Sequence, residues 1–151
     1  MPPLNDLYRE IVMDHYRTPR NRGELPTPPA RRADGHNPLC GDEITVYLLV
    51  EDNVIRDVKL SGHGCSISQA SSSMMSAAVK GRSIDDVRGL IVQFKDMMTS
   101  ETVEPTEDAL RSLGEIASLS GVSKFPVRIK CATLAWNTLA QALDPGSPQQ
   151  G

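Results

Sequence analysis

The chain has 151 residues, of which 16 are basic and 19 acidic, so its formal net charge is −3. This length fits one domain that can fold without disulfide staples, and the mildly acidic balance argues against nucleic acid as the main partner. No apolar run is long enough to span a membrane, and the N-terminal residues lack the pattern of a secretory signal. The 3 cysteines are too few for a disulfide framework. These features together predict a cytoplasmic protein, in which thiols stay reduced.

Apolar spacing divides the chain into strands and helices. Spacings of three and four predict helices, whereas β-branched runs bounded by polar turns predict strands. An extended piece before Cys40 is a candidate third strand beside a β-hairpin. In chain order, the predicted elements are a helix over 4–17, a loop over 18–31, hairpin strands over 43–50 and 54–60, a helix from Ser66 to Gly81, a helix behind a Ser83–Asp86 capping box, a polar segment over 99–106, a helix over 107–118, a connector over 121–126 and a helix from about 127 to 143.

The order of these elements sets the expected architecture. Strands cluster early and helices follow, which is typical of the α+β class. We expect one domain over residues 1–143 and a disordered tail over residues 144–151, which are rich in proline, glycine and glutamine.

The first thiol, Cys40, lies in a turn two residues before the carboxylate of Asp42. Pro38 restrains the chain on one side, and Gly41 permits backbone geometry that a side chain would block. A thiolate and a carboxylate on one tight turn can both reach a divalent ion, and zinc accepts both ligand types. A nucleophilic thiol is a second functional interpretation. In the structural alternative, Asp42 caps the turn and Cys40 is a small buried apolar filler.

The second thiol, Cys65, ends a predicted strand and opens a predicted helix. A thiol at a helix N-terminus meets the positive end of the helix dipole and free N–H groups, which favour the thiolate. Gly62 and Gly64 allow a ligand or a backbone to approach closely. The structural alternative is a glycine-rich turn with a cysteine near the N-cap.

The histidines are weaker candidates. His63 could serve as the base of a Cys–His pair, but the sequence shows no carboxylate that would orient it. We therefore expect His63 to be a surface or loop residue. We expect His15 and His36 to be structural or exposed rather than ligands.

The third thiol, Cys131, falls in the first two turns of a helix that Pro126 begins. Arg128 lies one turn earlier on the same face, and its charge, with that of Lys130, favours the thiolate. The structural alternative is a core cysteine beside a solvated Lys130.

The three thiols and one carboxylate form a candidate metal-binding set. Cys40, Asp42, Cys65 and Cys131 would supply three sulfurs and one oxygen, which suits tetrahedral zinc. Their spacings match no zinc-finger pattern, so the sequence alone leaves open whether they meet in space.

Longer motifs extend over the same regions, in one order along the chain. They resemble the SufU branch of the IscU/SufU iron–sulfur cluster assembly family, from about Leu4 to Leu143. The motifs are Leu7-Tyr8 through Met13-Asp14-His15-Tyr16 with Pro19-Arg20-Asn21, Asn37-Pro38-Leu39-Cys40-Gly41-Asp42, Gly64-Cys65-Ser66-Ile67-Ser68 with Ala70-Ser71-Ser72-Ser73-Met74-Met75, Gly121-Val122-Ser123-Lys124-Phe125-Pro126 and Arg128-Ile129-Lys130-Cys131-Ala132-Thr133-Leu134.

Three departures separate this chain from IscU-type members. Lys130 stands where those proteins carry a histidine before the third cysteine. The stretch 124–128 replaces their Leu-Pro-Pro-Val-Lys chaperone-docking motif, and the segment of about 95–124 resembles the extra insertion of the SufU branch. All three departures favour the SufU branch over a cluster scaffold.

The resemblance implies a SufE/NifU-like α+β fold, with a small three-stranded antiparallel sheet and helices packed on one side. It implies that Zn²⁺ is held by Cys40, Asp42, Cys65 and Cys131. It also implies that Cys40 accepts persulfide sulfur from a SufS-type cysteine desulfurase, and that Arg128 supports the exchange. A SufBCD-type scaffold is the implied downstream partner.

Two alternatives use the same residues. Thiolates also bind iron–sulfur clusters, so the chain could be a scaffold on which a cluster is assembled, as IscU-type proteins are thought to be. A purely structural zinc domain would instead unfold when the metal is removed.

Overall fold

The structure is a computed structural model that describes residues 4–27, 29–38, 41–99, 111 and 113–144. For residues 4–8, 121, 123 and 124 it describes the backbone alone. Several predictions fall outside these ranges: the placement of Cys40, most of the polar segment over 99–106, residues 107–110 and 112 of the helix over 107–118, and the tail from residue 145.

The three strands of the described chain follow one another between the first helix and the remaining helices. The helix over 4–17, the β-hairpin and the third strand before Cys40 are confirmed. In chain order the elements are α1 (Leu4–Arg17), β1 (Arg31–Asn37), β2 (Asp42–Glu51), β3 (Val54–His63), α2 (Ser66–Val79), α3 (Ile84–Thr99), a 3₁₀-helix (Gly114–Lys124) and α4 (Pro126–Leu143).

The three strands form an antiparallel sheet in the order β1-β2-β3. Val46 in the central strand pairs with Ala33 on one side and Leu60 on the other, and all three side chains are buried. The hairpin turn places Asp52 and Asn53 at positive φ, which matches the right-handed twist of the flanking strands. One face of the sheet is therefore a core face.

The helices cover that core face. The α4 helix packs against β1 and β2, and α2 packs against β3 and α4. The α1 helix packs on α2, and α3 reaches α4 through the stacked rings of Phe94 and Trp136, whose centroids are 4.4 Å apart. The predicted α+β class is thus confirmed. No helix within the described ranges is long and apolar enough to cross a membrane.

The segment before α4 differs from the prediction. The chain forms a 3₁₀-helix over Gly114–Lys124, where the apolar spacing predicts an α-helix to residue 118 and a connector from residue 121. The large apolar side chains here recur at a spacing of three, which fits the three residues per turn of a 3₁₀-helix. They are Leu113, Ile116, Leu119 and Val122; Ala117, Ser118 and Ser120 are buried as well.

Candidate metal centre

One end of the sheet brings the candidate ligands together. Glu43 pairs with His63, so Asp42 at the start of β2 lies beside the residues that follow β3. Those residues are Gly64 and Cys65, after which α2 begins. The antiparallel register therefore places Asp42 next to Cys65, although 23 positions separate them in sequence.

The Asp42 side chain is fully buried, with 0% of its surface exposed. Its Oδ1 accepts a hydrogen bond of 2.8 Å from the backbone N–H of Cys65. Its Oδ2 is also buried and has no hydrogen-bond partner within the described part of the chain. A buried carboxylate oxygen without a partner is costly, and a bound cation would remove that cost.

Cys65 is the N-cap residue of α2. Its Sγ accepts a hydrogen bond of 3.5 Å from the N–H of Ser68, and its extended backbone conformation is usual for an N-cap. The thiol is half-buried and lies at the positive end of the α2 helix dipole.

Cys131 comes from α4, where it is the sixth residue of the helix that Pro126 begins. Its side chain is 0% exposed, and its Sγ lies 3.8 Å from the carbonyl oxygen of Val127. Because α4 packs across β1, β2 and α2, this thiol faces the same end of the sheet as Asp42 and Cys65.

One carboxylate oxygen and the two sulfurs all lie within 4.8 Å of one another. We call this group of Asp42, Cys65 and Cys131 the metal centre. Two sulfurs bound to one zinc ion would lie about 3.8 Å apart, given Zn–S bonds of roughly 2.3 Å and tetrahedral angles. The donor set therefore fits zinc if the donor atoms move slightly closer together. The unpartnered oxygen of Asp42 supports the same conclusion.

Two glycines make this geometry possible. A Cβ atom on Gly64 would lie 2.5 Å from Asp42 Oδ1, so a side chain there would displace the carboxylate. Gly62 has φ of +120°, and the carbonyl of Glu43 occupies the space of its missing Cβ. The close approach that these glycines were expected to permit is therefore made by the protein's own β2 strand.

The remaining predicted site residues differ in placement. Cys40 lies outside the described residues, between β1 and the described Gly41, which has φ of +68°. Arg128 is exposed in the first turn of α4, three positions before Cys131. Phe125 and Val127, beside it, are 60% and 62% exposed. The start of α4 thus exposes apolar and basic side chains.

The histidines lie where the sequence suggests. His63 is exposed, and its Nε2 lies 3.3 Å from the carboxylate of Glu43, an oriented pair that the sequence did not reveal. His15 is 2% exposed and is held between Ser73 and Glu115. His36 is exposed. None of the three belongs to the metal centre as the described residues define it.

Sequence reasoning missed one polar link behind the metal centre. Ser71 in α2 donates a hydrogen bond to the carbonyl oxygen of Ala132 in α4 and accepts one from the indole of Trp136. The signal was the density of serines in α2, where Ser68, Ser71, Ser72, Ser73 and Ser76 are all buried. Buried serines on an otherwise apolar helix indicate hydrogen bonds to neighbouring elements or to the helix itself.

Comparison with known proteins gives the chain's relatives. Residues 7–132 match the NifU-like N terminal domain family. The chain is 44% identical over 140 residues to the zinc-dependent sulfurtransferase SufU of Bacillus subtilis, covering 93% of this chain and 91% of that protein. It is 41% identical over 140 residues to the iron–sulfur cluster assembly scaffold protein IscU of Streptococcus pyogenes, covering 93% and 84% of the two chains.

A solved structure shares the fold. It is that of a candidate iron–sulfur cluster assembly scaffold protein for the SUF system from Fervidobacterium islandicum AW-1, with a TM-score of 0.80 and 34% identity. The similarity covers 89% of this chain and 95% of that one.

Proposed function

This chain belongs to the NifU-like N terminal domain family, and we propose that it is a zinc-dependent sulfurtransferase. It would accept persulfide sulfur from a SufS-type cysteine desulfurase for iron–sulfur cluster biogenesis. The observation that carries the proposal is the metal centre, in which a buried carboxylate without a partner for Oδ2 lies within 4.8 Å of two thiols. Lys130 in place of the IscU-type histidine, and the similarity to the sulfurtransferase of B. subtilis, add support.

The proposed ligands are Asp42, Cys65, Cys131 and Cys40. The first three donors lie close enough together to bind one ion, and structural zinc takes four ligands. Cys40 is two residues before Asp42, so the start of β2 can deliver it to the same ion. Bound zinc keeps its cysteine ligands deprotonated at neutral pH.

Sulfur transfer follows the chemistry of thiol–disulfide exchange. The Cys40 thiolate attacks the outer sulfur of the persulfide on the desulfurase cysteine. The S–S bond of that persulfide breaks, its inner sulfur leaves as a thiolate, and a persulfide forms on Cys40. The exposed guanidinium of Arg128 supports the exchange by stabilising negative charge on the reacting sulfurs.

The partners follow from this step. The donor is a SufS-type cysteine desulfurase, and a SufBCD-type scaffold would receive the sulfur. Both steps need reduced thiols, which agrees with the predicted cytoplasmic location.

The decisive experiment measures sulfur on Cys40. The chain is incubated with a SufS-type desulfurase and cysteine, and the peptide that contains Cys40 is analysed by mass spectrometry. We expect the unmodified chain to gain the mass of one sulfur atom and to stimulate desulfurase turnover. Cys40→Ala should do neither. Equal stimulation by Cys40→Ala would overturn the acceptor role.

Two further variants separate the roles of neighbouring residues. Arg128→Ala should keep its zinc and lose most of the stimulation. His63→Ala is the matched control, because His63 is exposed and close in sequence to Cys65 but outside the metal centre. Equal loss in His63→Ala and Arg128→Ala would show that any change near the metal centre disturbs the reaction.

A second candidate function is that of an IscU-like scaffold, which the similarity to the S. pyogenes protein favours. The same thiolates could bind an iron–sulfur cluster in place of zinc. Metal analysis after purification without oxygen distinguishes the two functions. One tightly held zinc, without iron or labile sulfide, counts against the scaffold, whereas iron and sulfide in equal amounts would overturn the zinc assignment.

A further inference from the structure

The hydroxyl of Ser71 joins the two helices that carry the thiols of the metal centre. Its Oγ donates a hydrogen bond of 2.6 Å to the carbonyl oxygen of Ala132 and accepts one of 3.1 Å from Trp136 Nε1. Ser71, Ala132 and Trp136 are each 0% exposed. The hydroxyl therefore donates to one group of α4 and accepts from another, in a region that water does not reach.

Both ends of this link are close to a thiol. Ala132 is the residue after Cys131, and Ser71 follows Cys65, the N-cap of α2, by fewer than two helical turns. A shift of α4 along α2 by one residue would move Cys131 by about 1.5 Å. Metal–ligand distances tolerate only about 0.2 Å of error, so the register of the two helices decides whether both sulfurs reach one ion.

Apolar packing alone sets this register weakly, because the hydrophobic effect has no direction. The Trp136 ring is already fixed on one face by its stacking on Phe94, with 4.4 Å between centroids and 15° between planes. Its indole N–H, on the other hand, has a directional partner in Ser71. The link thus connects α4 to α2 at a defined position along both helices.

We propose that Ser71 is a positioning residue of the metal centre, which holds Cys65 and Cys131 at ligand distance by fixing the register of α2 and α4. This inference rests on the proposed binding of zinc. Ser71 contributes no ligand atom. Its loss therefore weakens metal binding and changes the ligand geometry, and leaves the donor set complete.

The test compares Ser71→Ala with Ser72→Ala. Ser72 is also buried in α2, but its Oγ donates to the carbonyl oxygen of Gln69 in the same helix, so this variant removes a buried hydroxyl whose hydrogen bond stays within α2. Each full-length variant is titrated with Co²⁺ without oxygen, following the absorption bands of tetrahedral cobalt–thiolate. Thermal unfolding of both variants is measured with EDTA.

We expect Ser71→Ala to bind Co²⁺ about 10- to 100-fold more weakly than the unmodified chain, the usual cost of losing a group that supports a ligand. Its cobalt bands should also shift or lose intensity. Ser72→Ala should match the unmodified chain in both respects. Equal affinity and identical bands in the two variants, with a lower melting temperature for Ser71→Ala, would overturn the proposal, since Ser71 would then be structural only.

Two conservative variants keep the test decisive if Ser71→Ala fails to fold. Ser71→Thr retains the hydroxyl and should bind Co²⁺ as the unmodified chain does. Trp136→Phe keeps a ring on Phe94 but removes the indole N–H, and should weaken binding relative to Ser72→Ala. Unchanged binding by Trp136→Phe would overturn the proposal. Failure of the unmodified chain to bind either zinc or cobalt would instead overturn the proposed function.

Discussion

Two clusters of polar groups in this molecule are each built from three elements, and they differ in whether their buried atoms have hydrogen-bond partners. The His15 cluster joins α1, α2 and the 3₁₀-helix through His15, Ser73 and Glu115. Nδ1 of His15 lies 2.8 Å from Ser73 Oγ, and Nε2 lies 3.1 Å from Glu115 Oε2. Ser73 Oγ also accepts the backbone N–H of Arg20. Both nitrogens of the buried ring therefore have partners, Ser73 in α2 and the exposed carboxylate of Glu115.

The metal centre is the opposite case. Its oxygen and sulfur donors face one another, and the buried Oδ2 of Asp42 has no hydrogen-bond partner in the described ranges. A closed polar network stabilises the fold that contains it, whereas an open set of donors lowers the stability of the empty protein. The His15 cluster thus serves the fold, and the unpartnered Oδ2 of the metal centre agrees with the proposed binding of zinc.

The largest expected effect tests the metal centre. At a zinc concentration about 1,000 times Kd, zinc should raise the free energy of unfolding by about 4 kcal/mol over the value in EDTA. Asp42→Asn should lose most of this gain, because an amide keeps the hydrogen bond from Cys65 but is a poor ligand for zinc. Chemical denaturation with and without EDTA measures both values. Glu43→Gln, in the next and exposed position, is the control. A full zinc response in Asp42→Asn would contradict the assignment.

The next largest effect tests the His15 cluster. His15→Ala removes a nearly fully buried ring and leaves the Ser73 hydroxyl short of a partner. We expect the free energy of unfolding to fall by about 1–3 kcal/mol because the hydrogen bonds are lost, and to fall further because the missing ring leaves a cavity. The zinc content should not change. The exposed His36→Ala should alter stability by no more than about 0.5 kcal/mol. Loss of zinc from His15→Ala would remove the distinction between the two clusters.

A smaller effect tests how tightly the metal centre is assembled. Gly64→Ala directs a methyl group at Asp42 Oδ1, so the carboxylate must move. We expect zinc affinity to fall about 10- to 100-fold, measured by competition with a chelating dye. Gly89→Ala is the matched control, because a Cβ there meets nothing within 4 Å. That change should leave zinc binding intact and stabilise α3 by about 1 kcal/mol. Equal zinc affinities in the two variants would mean that Asp42 is not a ligand.

The sequence predicted well the elements that depend on neighbouring residues, and it predicted poorly the contacts between residues far apart in the chain. Helical spacing and the polar turn at Asp52 and Asn53 depend on neighbouring residues, so most helices and the hairpin could be predicted. The 3₁₀-helix could not be predicted from the α-helical template, although its spacing of three was visible in Leu113, Ile116 and Leu119.

The metal centre shows the same limit. The ligand types, the turn carrying Cys65 and a candidate zinc set were visible in the sequence, and the family resemblance implied the same set. That Asp42 meets Cys131 depends on strand register and on the packing of α4, to which residues far apart contribute. The link from Ser71 to Trp136 likewise spans 65 positions, and spacing carries no information about such a pair.

The smallest expected effect concerns an exposed pair beside the His15 cluster. Arg20 donates a hydrogen bond of 2.6 Å to Asp14, and this bond and the guanidinium charge hold the pKa of that carboxyl below its ordinary value of 3.8. Because the pKa is lower in the folded state, the pair stabilises the fold above pH 3.8, and this contribution is lost as the pH falls through the lowered pKa. Asp14→Asn should therefore lower Tm slightly at neutral pH and not at all at the acid end.

Salt provides the second arm of this test, because Asp14 is exposed and its interaction with Arg20 is screened by ions. The Tm difference between Asp14→Asn and the unmodified chain should shrink in high salt, measured by calorimetry at neutral pH. Glu10→Gln, at another exposed position of α1, should show little difference in either condition. A Tm difference that persists in acid and in salt would mean that Asp14 acts through the geometry of the His15 cluster. Asp14 would then be a member of that cluster and not part of its solvent-exposed surroundings.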